Sequence, residues 1–383
     1  MTMIASHIVV SREAGTAPPE PLNSILDLAR WAPSGDNTQP WRFEIINENR
    51  FVVHGFDTRS ECVYDLDGHG SQLSLGAMLE TIAIASTAYG READIQRRSD
   101  SPEQNPVFDV LLRPAPAIAA DPLAASIQTR SVQRRPLSMR ALTREEKRAL
   151  EAAVKPDFTV LWLEGWPAKW AAARLMFANA KLRLTMREAY EVHRRIIDWG
   201  KRFSEDKIPD QSFGLDPLTL MLMRWVMASW NRVKFFNTFL AGTLSPRIQL
   251  DLVPSLACGA HFALLADRVP ETLMDYVEAG RRAQRFWLTA DHLRLQLQPE
   301  MTPLIFARYL REERHFTQQE EILKAASPLA ARLGSLLGAG LERAVFIARI
   351  GAGPRAQSRS VRLPLQKLEQ QVNSQPGSEN RGK

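Results

Sequence analysis

Cysteine is scarce in this sequence: Cys62 and Cys258 are the only two among 383 residues. Two distant cysteines, neither in a CxxC pair, are too few for a disulfide framework or a zinc site. We therefore interpret both as packing residues and expect no metal centre.

Long apolar runs are also missing, because no stretch of eighteen residues is free of charged side chains. The most apolar region, 218–240, is interrupted by Arg224, Arg232 and Lys234, which favours a buried or lid-like helix over a membrane span. The N-terminal residues lack the basic start and apolar core of a secretory signal. We expect a cytoplasmic protein with no membrane partner.

Acidic residues do not balance the basic ones: 49 Lys and Arg stand against 43 Asp and Glu, and the net charge is +6. The basic residues are dispersed and often neighbour Glu or Asp, as on solvated helix faces, so we expect no nucleic-acid partner. With 45% hydrophobic residues, the chain can bury a large core, and its length suggests two domain-sized halves.

The most unusual stretch is Ala32–Phe43, APSGDNTQPWRF. It follows a run with helical spacing of apolar residues, 22–31, and precedes two strand-like runs, 43–46 and 50–53. Prolines restrict this loop, and its hydroxyl and amide side chains can hydrogen-bond a planar heteroaromatic ligand. Composition alone leaves a plain helix–strand turn and a binding loop equally open.

In register, this segment resembles the PSxxNxQPWxF motif of the nitroreductase family of FMN-dependent oxidoreductases, in its branch with two fused nitroreductase-like halves. The resemblance implies that Ser34, Asn37 and Gln39 hydrogen-bond the flavin ring or ribityl chain and that Pro33 packs on the ring. Similar domains occur fused to adenylating enzymes, in chains labelled as molybdopterin biosynthesis proteins, which implies a possible adenylating-enzyme partner.

A second motif lies in residues 126–137, where three arginines precede a capping box that begins at Thr143. Without other evidence, we interpret this segment as a basic turn that faces solvent. The planar guanidinium groups of arginine can, however, also bind phosphate through paired hydrogen bonds. The segment resembles the phosphate-binding RxxxR motif of the family. Arg130 and Arg134 occupy its arginine positions, while Val132 stands where Ser or Thr is usual.

Two further segments of the second half resemble family elements. Leu297, Gln298 and Pro299 correspond to the strip that packs on the isoalloxazine ring. The C-terminal segment 359–365 resembles the terminal Arg-x-Pro-Leu sequence, which implies that Arg362, or else Arg359, returns to the FMN phosphate.

The fold expected from this resemblance is α/β: two fused nitroreductase-like halves form an intramolecular pseudo-dimer, each a mostly antiparallel sheet flanked by helices. Its predicted parts are a flexible arm (1–20), a first half with the flavin-ring loop (21–122), a second half with the phosphate motif (123–366) that contains a lid or insertion (186–242), and a disordered tail (367–383). Patterning predicts helices over 71–90, 167–183, 256–265, 273–293, 303–310 and 325–337, and strands over 158–163 and 344–351.

The resemblance implies an oxidoreductase in which NAD(P)H reduces FMN, which then reduces a small organic acceptor. The flavin carries this chemistry, so no side chain is nominated as catalytic. Tyr190, His193 and Arg194 are the polar candidates of the insertion. Two alternatives stay open: a flavin-sequestering protein without turnover, and a tailoring subunit acting on a substrate bound to an adenylating partner. The chain could be a monomer or a homodimer.

Overall fold

The computed structural model describes residues 21–240 and 242–370. The predicted arm, 1–20, and residues 371–383 of the predicted tail therefore lie outside the described residues.

Helix α1 shows why the first half folds as it does. Its buried residues, Leu22, Ile25, Leu26 and Ala29, follow the i, i+3, i+4, i+7 spacing of one helix face. The elements of this half are α1 (Pro21–Ala29), β1 (Trp41–Asn47), β2 (Arg50–Gly55), α2 (His69–Thr87), β3 (Arg91–Arg97) and β4 (Val107–Pro114). The strands form an antiparallel sheet in the order β1-β2-β4-β3, and α1 and α2 cover it in one hydrophobic core.

The second half contains a second four-stranded antiparallel sheet, in the order β10-β11-β9-β5. The elements are α3 (Arg144–Ala152), β5 (Phe158–Leu163), α4 (Gly165–Thr185), α5 (Arg187–Ile196), β6 (Ile197–Asp198), β7 (Phe203–Ser204), β8 (Ile208–Pro209), α6 (Pro217–Met227), α7 (Trp230–Phe239), α8 (Leu244–Arg247), α9 (Val253–Leu256), β9 (Ala260–Ala266), α10 (Leu273–His292), β10 (Leu295–Pro299), α11 (Thr302–Arg311), α12 (Glu320–Leu337), β11 (Ala344–Ala352), β12 (Arg359–Ser360) and α13 (Leu365–Leu368). Antiparallel sheets flanked by helices confirm the predicted α/β class.

The predicted helix over 256–265 is wrong, because most of that segment is the central strand β9. Every residue of β9 is buried. Phe262 and Leu264 pack into the core with α10, and Ala263 and Leu265 pack into the core with α4, α11 and α12. A strand buried on both faces has no polar alternation, so its apolar run does not differ from that of a buried helix.

Helices α2 and α10 pack against each other through a pair of glycines. A Cβ atom on Gly76 would lie 1.8 Å from the carbonyl oxygen of Val277, and one on Gly280 would lie 2.0 Å from that of Leu73. The two backbones are thus in direct contact, which no other residue type permits. This contact joins the two halves of the molecule.

The C-terminal segment returns from the second half to the first. Strand β12 pairs with β7, and Leu365 and Leu368 complete the first core. The backbone N–H of Gln370 donates to the carbonyl of Phe43 at 2.7 Å. Residues 367–370, predicted as part of the tail, thus contact the first half. We call residues 359–370 the C-terminal strap.

The insertion 186–242 differs from its prediction. In place of the one buried or lid-like helix expected over 218–240, the segment forms two helices, α6 and α7, and Val233 is their one buried side chain. No helix in the described ranges is both long and apolar enough to span a membrane.

Candidate functional site

The loop between α1 and β1 is wound through three left-handed residues. Asp36, Asn37 and Gln39 have φ angles of 52°, 63° and 49°. Each such conformation costs a non-glycine residue about 1–3 kcal/mol and persists only where the surroundings enforce it. The hydroxyl of Ser34 closes the loop by accepting from the N–H of Gln39 at 3.0 Å. Strain concentrated in so short a loop is typical of a binding site.

The amides of Asn37 and Gln39 attach this loop to the rest of the molecule. Gln39 Nε2 donates to the carbonyl of Glu205 at 2.9 Å, and Gln39 Oε1 accepts from the N–H of Leu363 at 2.9 Å. Asn37 Nδ2 donates to the carbonyls of Glu205 and Lys207 at 2.9 and 3.3 Å. Both the NH2 group and the carbonyl oxygen of the Gln39 side-chain amide therefore have partners within the protein.

Three arginines converge where the C-terminal strap passes the end of α1. Arg362 Nε donates to the carbonyl of Ala32 at 2.9 Å, and Arg130 Nη2 donates to that of Trp31 at 2.9 Å. The guanidinium of Arg359 lies 5.1 Å from the centre of the Trp31 ring. Within the described ranges, the bonds of these three guanidinium groups go to backbone carbonyls, and none pairs with a carboxylate.

This arginine cluster is electrostatically unfavourable as it stands. Burial and, next, the charge of Arg359 lower the pKa of Arg130 to about 10, although Asp291 opposes this shift. Burial, together with Arg130 and Arg359, lowers the pKa of Arg362 well below its ordinary value. Asp291 offsets part of the charge of Arg130 and Arg359, but three like charges gathered at buried positions remain costly. A bound dianion would remove that cost, and planar guanidinium forks suit a phosphate group.

Arg134 belongs to a second polar group, around Asp36. Burial raises the pKa of Asp36 to about 6, although Arg134 opposes this shift. Cys62 Sγ lies 3.9 Å from Asp36 Oδ2, and burial also raises the pKa of this thiol. The Tyr64 hydroxyl lies 3.1 Å from Nε2 of His193, whose pKa burial lowers to about 3. Asp36 is thus the carboxyl group here that titrates near neutral pH.

A buried ion network holds the backbone of Arg134. Arg349 Nη2 donates to the Arg134 carbonyl at 2.8 Å, and Arg349 Nη1 contacts Glu300 Oε1 at 2.9 Å. His261 Nδ1 lies 2.7 Å from Glu300 Oε2. Burial opposes these charges, but Glu300 raises the pKa of His261 to about 10, while His261 and Arg349 lower that of Glu300 to about 2. The network therefore stays charged at neutral pH.

The arginine cluster and the polar group around Asp36 line a cavity of about 360 Å³, whose walls also include residues of α2 and α10. Its walls include Trp31, Pro33, Ser34, Asp36, Asn37, Cys62, Tyr64, Ser74 and Ala77 from the first half, and Arg130, Ser131, Val132, Arg134, Arg183, His193, Gly280, Ala283, Gln284, Trp287, Gln298, Pro299, Arg359 and Arg362 from the second. The volume is in the range of roughly 300–1,000 Å³ that is usual for small-molecule and cofactor pockets.

Several polar atoms of these wall residues are buried without a hydrogen-bond partner in the described part of the chain. They are Trp31 Nε1, Asn37 Oδ1, Arg130 Nε, Gln284 Oε1 and Gln298 Oε1. Buried polar groups are nearly always paired, so unpaired donors and acceptors around one cavity indicate a polar ligand.

Eight of the ten residues predicted from the sequence line this cavity: Pro33, Ser34, Asn37, Arg130, Arg134, Gln298, Pro299 and Arg362. Gln39 and Leu297 are fully buried outside its lining. Gln39 fixes the loop, and the Leu297 carbonyl accepts from the N–H of Gln133 at 3.0 Å.

Sequence reasoning missed other wall residues. Asp36 and Cys62 carry no motif signal, although Asp36 lies inside the recognised loop. Arg183 and Trp287 lie on helices that patterning had identified, but a helical pattern does not say which residues face a cavity. His193, a candidate of the insertion, lines the cavity; Tyr190 instead packs against Trp230, with 5.3 Å between ring centres.

No group of three His, Cys, Asp or Glu residues suited to a metal ion occurs in the described ranges. Cys258 is buried, as a packing residue should be, whereas Cys62 faces the cavity. His69 begins α2 and stacks on Tyr276 with 3.5 Å between ring centres, away from the cavity walls.

Fold and cavity together define an α/β protein with two antiparallel sheets and a partly polar cavity lined by several arginines. Residues 16–92, which are 77 of the 383, match the family model described as Nitroreductase family. The matched stretch contains α1, the loop with Asp36, and α2. It ends before the arginines of the cavity.

A solved structure of a nitroreductase-like family protein from Bacillus cereus is 12% identical, covers 66% of this chain and 97% of that chain, and has a TM-score of 0.32. No curated protein matches the sequence.

Proposed function

We propose that the protein is an FMN-dependent oxidoreductase that uses NAD(P)H to reduce a small organic acceptor. The observation that carries this proposal is the cluster of Arg130, Arg359 and Arg362 at the cavity. Arg130 and Arg362 are buried, Arg359 is half-buried, and none of the three pairs with a carboxylate in the described part of the chain. The match of residues 16–92 to the nitroreductase model supports the choice of flavin among phosphate-bearing cofactors.

The residues present fit FMN. The arginine cluster would hold the phosphate dianion. The unpaired Asn37 Oδ1 and Gln298 Oε1 are acceptors for N–H or hydroxyl groups, as the isoalloxazine ring and the ribityl chain provide. Pro33 and Pro299 offer apolar surface for the flat ring. Bound FMN would supply the redox chemistry, taking a hydride from the nicotinamide and passing it to the acceptor.

The remaining wall residues would position the acceptor and a proton. Asp36 carries a proton at its carboxyl group in weakly acidic solution, because burial raises its pKa to about 6. His193 stays neutral, so its imidazole and the Tyr64 hydroxyl act as hydrogen-bonding groups. The charges of Arg134 and Arg183 favour an acceptor with a negative or electron-rich group.

We also propose that the chain is a fused pseudo-dimer whose first half supplies the ring loop and whose second half supplies the phosphate motif. Each half contributes a four-stranded antiparallel sheet and a long helix, and the glycine contact joins these helices. A cytoplasmic location and an adenylating-enzyme partner remain predictions from the sequence; co-purification with such an enzyme would test the second.

The first experiment is the absorption spectrum of the purified protein between roughly 350 and 500 nm, with about one FMN expected per chain. Anaerobic NADH or NADPH should bleach the flavin band. A band that persists with both donors would replace this proposal with flavin sequestration. No band after incubation with FMN would overturn the cofactor assignment.

A further inference from the structure

Helix α6 turns its apolar face to the solvent. Leu218, Met221, Leu222 and Trp225 follow the i, i+3, i+4, i+7 spacing of a single face, and all four are exposed. Leu218 is 69% exposed and Trp225 is 50% exposed. A stripe with this spacing ordinarily faces a core, so its exposure needs a physical reason.

The apolar surface continues onto α7 and beyond it. Phe235 and Phe239 lie one turn apart on α7, and Phe239 is 71% exposed. Of the eighteen large apolar side chains that are exposed in the described residues, ten lie within 218–253. Such concentration marks an interaction surface, since exposed apolar residues elsewhere on a protein are scattered. We call α6 and α7 the apolar hairpin.

The apolar hairpin is fixed to the body of the protein by its other side. Val233 is buried, and Asn237 Nδ2 donates to the carbonyl of Leu184 at 3.0 Å. The rings of Trp225 and Phe236 meet edge to face, with 5.7 Å between their centres. The outward face is therefore held in a defined orientation.

The charge of this segment has one sign. Residues 217–250 contain no Asp or Glu, and they contain Arg224, Arg232, Lys234 and Arg247. The first three are exposed on the apolar hairpin, and the guanidinium of Arg232 lies 4.3 Å from the centre of the Trp225 ring. Aromatic and aliphatic side chains flanked by exposed basic groups are the composition of helices that lie in an anionic lipid interface.

We propose that the apolar hairpin binds the protein to the surface of an anionic membrane, with its aromatic and aliphatic side chains at the acyl boundary and its basic residues at lipid phosphates. A symmetric contact between two copies of this face would bring like charges together without an acidic partner within 217–250. A role in covering the cavity does not account for the exposure, since His193 and Ile208 are the described residues of 186–242 that line it. The expected absence of a membrane partner rested on the lack of a spanning segment, and an interfacial helix needs none.

The test is co-sedimentation of the full chain with phosphatidylcholine vesicles, with and without roughly 30% phosphatidylglycerol. Three exposed basic residues predict binding to the anionic vesicles that is roughly 10- to 100-fold tighter than to the neutral ones and that weakens in high salt. Replacing Trp225→Ala together with Phe239→Ala should lower binding about tenfold or more.

The matched control is Trp166→Ala, because Trp166 is 58% exposed on α4 and lies outside the apolar hairpin. This variant should bind vesicles like the wild type, and thermal unfolding checks that all variants fold. Three outcomes would overturn the proposal: no sedimentation with anionic vesicles, equal loss in the control, or self-association in the absence of lipid that the double variant abolishes. The readout does not involve flavin, so it is independent of the proposed reaction.

Discussion

The charge of Asp36 is controlled by its position in the cavity wall. Its ordinary pKa of 3.8 rises to about 6 because burial disfavours the carboxylate. The folded state then holds a proton more tightly than the unfolded state does. The resulting contribution to stability is present below about pH 4 and is lost as the pH rises through about 6.

Replacing Asp36→Asn should remove this pH dependence. Relative to the variant, the wild type should lose about 2 kcal/mol of unfolding free energy between pH 4 and pH 7. Urea unfolding of both proteins at several pH values measures the difference. A difference that stays constant over this range would show that Asp36 is already ionised at low pH.

A substitution of Arg359 tests whether the arginine cluster binds the FMN phosphate. Comparing FMN with riboflavin separates the loss of a phosphate contact from a defect in folding. The change Arg359→Gln should weaken FMN binding about 10- to 100-fold, because a charge-assisted hydrogen bond contributes about 1.5–3 kcal/mol. Riboflavin, which has no phosphate, should bind the variant and the wild type equally. Quenching of flavin fluorescence measures both affinities.

Arg355→Gln is the control for this prediction. It removes the same charge, but Arg355 pairs with Asp291 at 3.1 Å and is not among the cavity walls in the described residues. FMN binding should change less than about threefold, since the contribution of a half-exposed ion pair is small. If Arg359→Gln weakened riboflavin and FMN alike, the assignment of the arginine cluster to phosphate would fail.

At the scale of elements, the contact between α2 and α10 sets the width of the cavity. The two backbones touch at Gly76 and Gly280, and residues of both helices form the walls. A side chain at this contact would push the helices apart. The distance between α2 and α10 therefore depends on the absence of side chains at Gly76 and Gly280.

Replacing Gly280→Ala should cost more than about 2 kcal/mol of unfolding free energy, since the added methyl group would lie 2.0 Å from the Leu73 carbonyl. The matched control is Gly334→Ala on α12, where the nearest atom would be at an ordinary 3.6 Å. This control should gain about 0.5–1 kcal/mol from helix propensity. Denaturant unfolding of both variants decides the point; equal stability of Gly280→Ala and the wild type would contradict the direct backbone contact.

At the scale of the whole molecule, the C-terminal strap couples the two halves to the cavity. Leu365 and Leu368 sit in the core of the first half, and the same strap carries Arg359 and Arg362. Gln39 holds the strap through the N–H of Leu363. A substitution that weakens the packing of the strap should therefore lower both the free energy of unfolding and the affinity of the arginine cluster for an anion.

The change Leu368→Ala should cost about 2–5 kcal/mol of stability and should also weaken FMN binding. Leu112→Ala removes an equally buried side chain from the same core, on β4 and away from the strap. This second variant should lose comparable stability with little change in FMN affinity. Chemical unfolding and FMN titration of both variants give the comparison, and similar FMN affinities for the two would argue against a coupling role of the strap.

From the sequence by itself, periodic spacing predicted most of the helices it named, because that spacing is local. The loop 33–39 and the arginine positions 130, 134 and 362 came from the resemblance to a known family, which also depends on short local motifs. The strand β5 and the capping box at Thr143 also followed from local pattern, and both are present. Local rules apply to them since their structure is fixed by neighbours in the chain.

Only the tertiary structure decided the rest. It showed that β9 is a central strand. The sequence did not, because burial on both faces removes the alternation that distinguishes a strand from a helix. The tertiary structure also gave Gln39 internal partners, brought Asp36 and Cys62 to the cavity, and left the apolar hairpin exposed. These outcomes depend on which distant segments meet, and the spacing of residues along the chain does not specify that.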